Sequence, residues 1–149
     1  MKKCVEKYGM TPTAILDRYG VFDVPTSAAH CVWVDQNDIE ILSQKDVSAV
    51  HNPVSNMKLA SGIAPVTEML TAGINIALGT DGVSSNNSFD MFEEVKMASL
   101  VAKVRTLDPN RCKGLSGFED GDLRRCERPG PRRRVRHNKG RHGRRSYTY

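Results

Sequence analysis

Over the first 110 residues, short apolar runs closed by a polar residue alternate with longer stretches in which apolar residues recur about one helical turn apart. The opening twenty residues are mixed and helix-prone, with Ala14, Ile15 and Leu16 ahead of Gly20 as a stop. Residues 27–32 are small and apolar, the pattern of a short strand buried on both faces. A helix follows, capped by Asp35, with Ile39 and Leu42 one turn apart and Gln44, Lys45 and Asp46 as a polar exit. Residues 47–51 form a second buried run, closed by Asn52 and Pro53 because proline cannot continue a hydrogen-bond ladder. A loop is expected from there to Gly62, then a helix with Pro65 in its first turn and Gly73 just past its end. Residues 75–79 are the third strand. After a polar turn over 84–88, a long helix carries Met91, Val95, Ala98 and Ala102 on one face and ends before Pro109.

Strand, loop and helix repeating in this order define an α/β chain with a parallel sheet and right-handed crossovers. Each unit places a polar side chain where the strand gives way to its loop: His30, His51, and Asp81 after Gly79 and Thr80. A lone histidine at a strand end is usually just hydrogen-bonded, but three polar residues in register mark a rim, and in a β/α barrel that rim is the catalytic face. Asp81, flanked by Thr80 and Gly82, has the setting of a carboxylate offered to a metal ion or used as a proton acceptor.

Charge divides the 149-residue chain. Residues 1–110 carry nine Lys or Arg against thirteen Asp or Glu, a net −4, whereas residues 111–149 carry thirteen against four, a net +9. The second part has no Ile or Met, and Leu115, Phe118, Leu123 and Val135 are its large aliphatic or Phe anchors. That is too little apolar surface to offset ordering entropy, so a disordered Arg-rich tail is expected over 110–149. No apolar run reaches the about 18 residues of a membrane span, and no signal-peptide stretch follows Met1, so a cytoplasmic protein with no membrane partner is expected. Cys4, Cys31, Cys112 and Cys126 are scattered without C-x-x-C spacing, which suggests isolated thiols rather than a disulfide framework or a cysteine metal site.

The string His51-Asn52-Pro53-Val54-Ser55-Asn56-Met57-Lys58-Leu59-Ala60-Ser61-Gly62, with Gly79-Thr80-Asp81-Gly82 and Ser85-Asn86-Asn87-Ser88 after it, resembles the amidohydrolase superfamily. Within it the likeness is to the methylthioadenosine/S-adenosylhomocysteine deaminases, and Ala28-Ala29-His30-Cys31-Val32 fits the same group. Guanine deaminase-like and triazine hydrolase-like enzymes share parts of the string and are the alternatives within the family. The resemblance covers about residues 1–109 and implies the last three strand–helix units of a TIM-type (β/α) barrel. It also implies hydrolytic deamination of a purine nucleoside, in which Zn2+ or another divalent ion lowers the pKa of bound water and ammonia is released.

Carried over residue by residue, the resemblance makes Asp81 a metal ligand that also takes a proton from the attacking water and contacts substrate. His30 matches a sixth-strand histidine that orients the nucleophile, and His51 and Asn56 are candidates for the substrate pocket. The family's H-x-H pair and its fifth-strand His and Glu have no counterpart, since the remaining histidines, His137 and His142, lie in the tail. A catalytic zinc needs about three protein ligands, so stable metal binding and activity are not expected of this chain alone. Open sheet edges would favour aggregation.

The tail admits two readings. Its arginines would bind RNA or DNA through charge, without the motifs of specific nucleic-acid recognition, which makes a non-catalytic polyanion-binding fragment the alternative function. Its sudden excess of Arg, Gly and Pro, all with GC-rich codons, reads instead as out-of-frame translation from about Asn110.

Overall fold

The computed structural model describes residues 1–110. The expectations for the tail, including Cys112, Cys126, its disorder and its polyanion binding, lie outside the described residues.

The helix-prone opening resolves into two short helices, α1 (Lys2–Tyr8) and α2 (Pro12–Arg18). They are separate because Gly9 takes a left-handed φ of 66°, and because Thr11 begins the second helix by accepting the Ala14 N–H on its hydroxyl at 3.1 Å. Gly20, at φ 72°, turns the chain into a single 3-10 turn whose Phe22 is buried. Three strands follow in alternation with helices: β1 (Ser27–Ala29), α3 (Gln36–Gln44), β2 (Ser48–His51), α4 (Pro53–Lys58), α5 (Val66–Thr71), β3 (Ile76–Leu78), α6 (Val83–Asn86) and α7 (Met91–Thr106).

The sheet order is β1–β2–β3 and both pairings are parallel, with Ala28 opposite Ala49 and Val50 opposite Ala77. The expected parallel α/β sheet is therefore present. Its core joins Ile39 and Leu42 of α3, Val47 and Ala49 of the second strand segment, and Met69 and Ile74 around α5. Thr11 and Asp38 tie α2 to α3: the Thr11 hydroxyl donates to Asp38, which in turn closes a reciprocal capping box with Asp35. Lys45 holds the same corner against Asp17 at 3.3 Å and Asp23 at 2.8 Å.

Several boundaries differ from the sequence expectation, each for a local reason. The first strand stops at Ala29 because His30 and Cys31 adopt φ of 66° and 45°, which no extended strand continues. The expected loop after Asn52 begins instead with α4, because Pro53 occupies the first helical position, where a missing N–H breaks no helical bond. Pro65 is the cap of α5 rather than a residue of its first turn. The polar turn over 84–88 contains the one-turn helix α6, closed by Asn87 at φ 74°. On α7 the buried face is Glu94, Ala98, Val101 and Ala102, so the stripe is rotated from the expected one and Met91 is exposed. Helix α7 nevertheless ends at Thr106, ahead of Pro109 as expected.

No described helix is long and apolar enough to cross a membrane. Cys4 and Cys31 are free thiols, and burial pushes the Cys31 thiol upward, which disfavours its reactive thiolate.

Candidate active site

All three parallel strands end on the same rim, and the polar residues expected there separate into two environments. His30 follows β1 directly and Asp81 lies three residues beyond the end of β3. Both have a positive φ, 66° and 61°, so the backbone turns sharply as it leaves each strand. The result brings His30 Nε2 to 3.7 Å from Asp81 Oδ2. With the two side chains 40% and 28% exposed, a small molecule can reach them.

Helix α4 holds both groups. Its Asn56 sets Oδ1 2.8 Å from His30 Nδ1, and its Ser55 hydroxyl donates to Asp81 Oδ2 at 2.6 Å. Accepting on Asn56 Oδ1 places the ring proton of neutral His30 on Nδ1, leaving the Nε2 lone pair on the Asp81 side. The other Asp81 oxygen, Oδ1, accepts the Gly82 N–H at 2.7 Å. The Ser55 hydroxyl first and then the Gly82 N–H hold the Asp81 carboxyl below its usual range, so it is an anion at neutral pH. Further along α4, Lys58 donates to the Ser84 carbonyl at 2.7 Å and to Asn87 Oδ1 at 2.6 Å, fixing the loop beyond Asp81.

Asn56 is thus brought to His30, itself only 2% exposed and with Nδ2 unpartnered. His51 is placed differently. It shares the buried face of β2 with Ala49, and its ring borders a cleft with Val66 and Thr67 of α5 and Val101 and Arg105 of α7. Neither ring nitrogen has a hydrogen-bond partner, and burial, with the nearby His30 adding to it, lowers the His51 pKa to about 4. Ser55 was not singled out by the sequence, because a lone serine in a short motif carries no signal until the fold shows what its hydroxyl meets.

Among the described residues no three His, Cys, Asp or Glu side chains are grouped to hold a metal ion. Asp81 is one oxygen donor, and its partners Ser55 and Gly82 are protein hydrogen-bond donors rather than further ligands. By themselves these residues do not fit a catalytic zinc.

The sequence profile of the amidohydrolase family matches residues 1–114, and the chain belongs to that family. It is 62% identical over 102 residues to the 5-methylthioadenosine/S-adenosylhomocysteine deaminase of Pelotomaculum thermopropionicum, covering 68% of this chain and 24% of that one. The 5'-deoxyadenosine deaminase of Methanopyrus kandleri is 52% identical over 115 residues, 77% of this chain and 27% of that one. The chain therefore spans about a quarter of the length of these curated relatives. Among solved structures, a zinc-bound adenosine deaminase from Xanthomonas campestris superposes with a TM-score of 0.67 at 39% identity, over 76% of this chain and 25% of that one. A guanine deaminase from C. acetobutylicum with bound guanine gives 0.64 at 32% identity, over 69% and 25%.

Proposed function

We propose that residues 1–109 are the last three strand–helix units of a β/α-barrel aminohydrolase that deaminates the adenine ring of methylthioadenosine, S-adenosylhomocysteine or a related purine nucleoside. The observation that carries this reading is the array Asn56–His30–Asp81–Ser55 at the carboxyl ends of parallel strands, where such barrels place their chemistry. Similarity to deaminases named for three adenine nucleosides supports the substrate class.

In this reading Asp81, anionic and held by Ser55 and Gly82, accepts the proton of a water that attacks the amino-bearing ring carbon. His30, its Nδ1 engaged by Asn56, turns Nε2 toward that water and orients it. The amino group departs as ammonia after receiving a proton, and a ring carbonyl stands in its place. In the same reading Asn56, whose Nδ2 is unpartnered, would offer that donor to a substrate or water acceptor. Asp81 is also the oxygen this chain would contribute to a divalent ion such as zinc, whose remaining ligands would come from outside the described residues. The 149-residue chain alone is accordingly expected to be inactive, with or without added zinc.

A chimera tests this reading. Residues 1–109 would replace the matching segment of the Pelotomaculum relative, and ammonia release would be followed with methylthioadenosine, S-adenosylhomocysteine, 5'-deoxyadenosine and guanine. Turnover of an adenine nucleoside, lost by at least about 100-fold in both Asp81→Asn and His30→Ala, is expected. A folded chimera that releases no ammonia, or one indifferent to both substitutions, overturns the proposal.

A further inference from the structure

Glu94 is a carboxylate that the chemistry above leaves unused, and it is fully buried at 0% exposure. It does not cap its own helix, since Asp90 does that by accepting the Phe92 N–H at 2.8 Å. Instead its two oxygens reach into other elements. Oε2 accepts the N–H of Val54 at 3.3 Å, in the first turn of α4 and one residue before Ser55. Oε1 accepts from the side-chain amide of Asn86, and the same Asn86 nitrogen donates to the carbonyl of Thr80 at 2.6 Å, one residue before Asp81.

We infer that Glu94 is a positioning residue: it spans the first turn of α4 and the segment carrying Asp81, and so holds Ser55 and Asn56 in register with Asp81 and His30. A carboxylate suits this place for a chemical reason. The Val54 N–H is one of the first-turn donors that a helix leaves unsatisfied, and the Asn86 amide nitrogen also faces residue 94, so both contacts as they stand use an acceptor there. A glutamine offers one acceptor and one donor group and satisfies only one side. An apolar residue leaves the Val54 N–H without an acceptor and the Asn86 amide with the Thr80 carbonyl alone. The inference deepens the proposed site and rests on that reading for its catalytic meaning, but the bridge itself stands on the geometry.

The test uses the 149-residue chain, labelled with 15N, and reads the ring nitrogens of His30. In the wild type His30 is expected to hold one neutral tautomer, with the proton on Nδ1, and the Asn86 side-chain amide is expected shifted downfield by its carboxylate partner. Glu94→Gln is near-isosteric. It should weaken the His30 tautomer preference by about fivefold, the scale of one lost hydrogen bond. Ile39→Val, remote from the bridge and buried in the core, should lower the thermal midpoint while leaving the His30 signals unchanged. An unchanged His30 tautomer in Glu94→Gln, an equal change in Ile39→Val, or a wild-type Asn86 amide without the downfield shift overturns the inference. The Asn86 measurement decides even if Glu94→Gln fails to fold. None of these readouts needs turnover, so loss of the deaminase reading and loss of the Glu94 assignment are separately visible.

Discussion

Asn56 Oδ1 lies 2.8 Å from His30 Nδ1, while the neighbouring Ser55 hydroxyl donates to Asp81 Oδ2 at 2.6 Å. Consecutive residues on one helical turn therefore orient two rim groups that come from different strands. In the chimera, Asn56→Ala should lower kcat by about 10- to 100-fold, the usual cost of losing a partner that orients a site residue. Asn56→Asp, which keeps an acceptor for Nδ1–H, should recover part of it. Steady-state kinetics with methylthioadenosine checks the pair, and an Asn56→Ala enzyme with unchanged kcat and raised KM would limit Asn56 to substrate contact and remove its role in orienting His30.

Gly79 is required by space rather than by backbone angle. A Cβ built there would meet the Asn52 side-chain amide at 2.7 Å and Val50 Cγ1 at 3.0 Å. Asn52 is itself 4% exposed, and turned with its amide nitrogen inward it donates to the Gly79 carbonyl at 3.1 Å and the His51 carbonyl at 3.2 Å. Gly79→Ala should thus destabilise the chain by about 1–3 kcal/mol, as overpacking does, and shift the Asp81 segment. Urea unfolding of the two proteins measures this; equal midpoints would mean that Asn52 moves aside freely.

The strands were legible because buried parallel strands leave compact apolar runs, and residues 47–51 and 75–79 are such runs. The helix α4 was not, because Pro53 was read as the end of a strand when it was equally the start of a helix. The buried face of α7 is legible in part: Ala98 and Ala102 lie on it as expected, but an apolar stripe is the only signal periodicity offers, and here a glutamate belongs to the buried side and Met91 does not. His30 and Asp81 could be placed on the rim from strand ends alone. That His51 turns to α5 and α7 follows from its sharing a strand face with Ala49, whereas the Ser55 and Glu94 contacts depend on tertiary geometry that no local pattern encodes.

His51 makes the fold sensitive to acid. Its pKa falls from 6.5 to about 4 on burial, with His30 adding to it, so the folded ring refuses a proton that the unfolded ring accepts; Arg105 borders the same cleft. Stability from this group is then fully present above pH 6.5 and is lost as pH falls from there to about 4, where the loss levels off. The shift corresponds to a loss of about 3 kcal/mol over that window. His51→Leu should flatten this part of the pH–stability curve. Denaturant titrations at pH 7, 5.5 and 4 provide the check, and a wild-type curve no steeper than that of His51→Leu would show that His51 titrates normally.

The change of composition at residue 111, next to the end of α7, points to the coding DNA. We propose that codons from about Asn110 onward are read out of frame. Synonymous codons exist for residues 110–123 that, read one nucleotide later, give Thr-Ala-Val-Lys-Ala-Tyr-Gln-Ala-Leu-Lys-Met-Ala-Thr. That string places Val, Tyr and Leu three residues apart, on one side of a helix, which the Arg- and Gly-rich sequence as written does not. Third codon positions are free, but most first and second positions are fixed by the written residues, so the shifted string is strongly constrained. Sequencing the locus across codons 105–115 decides the matter: an inserted or deleted base, followed by an open shifted frame that encodes this helix, is the expected result. Stop codons soon after the shift would show that the Arg-rich sequence is the intended product.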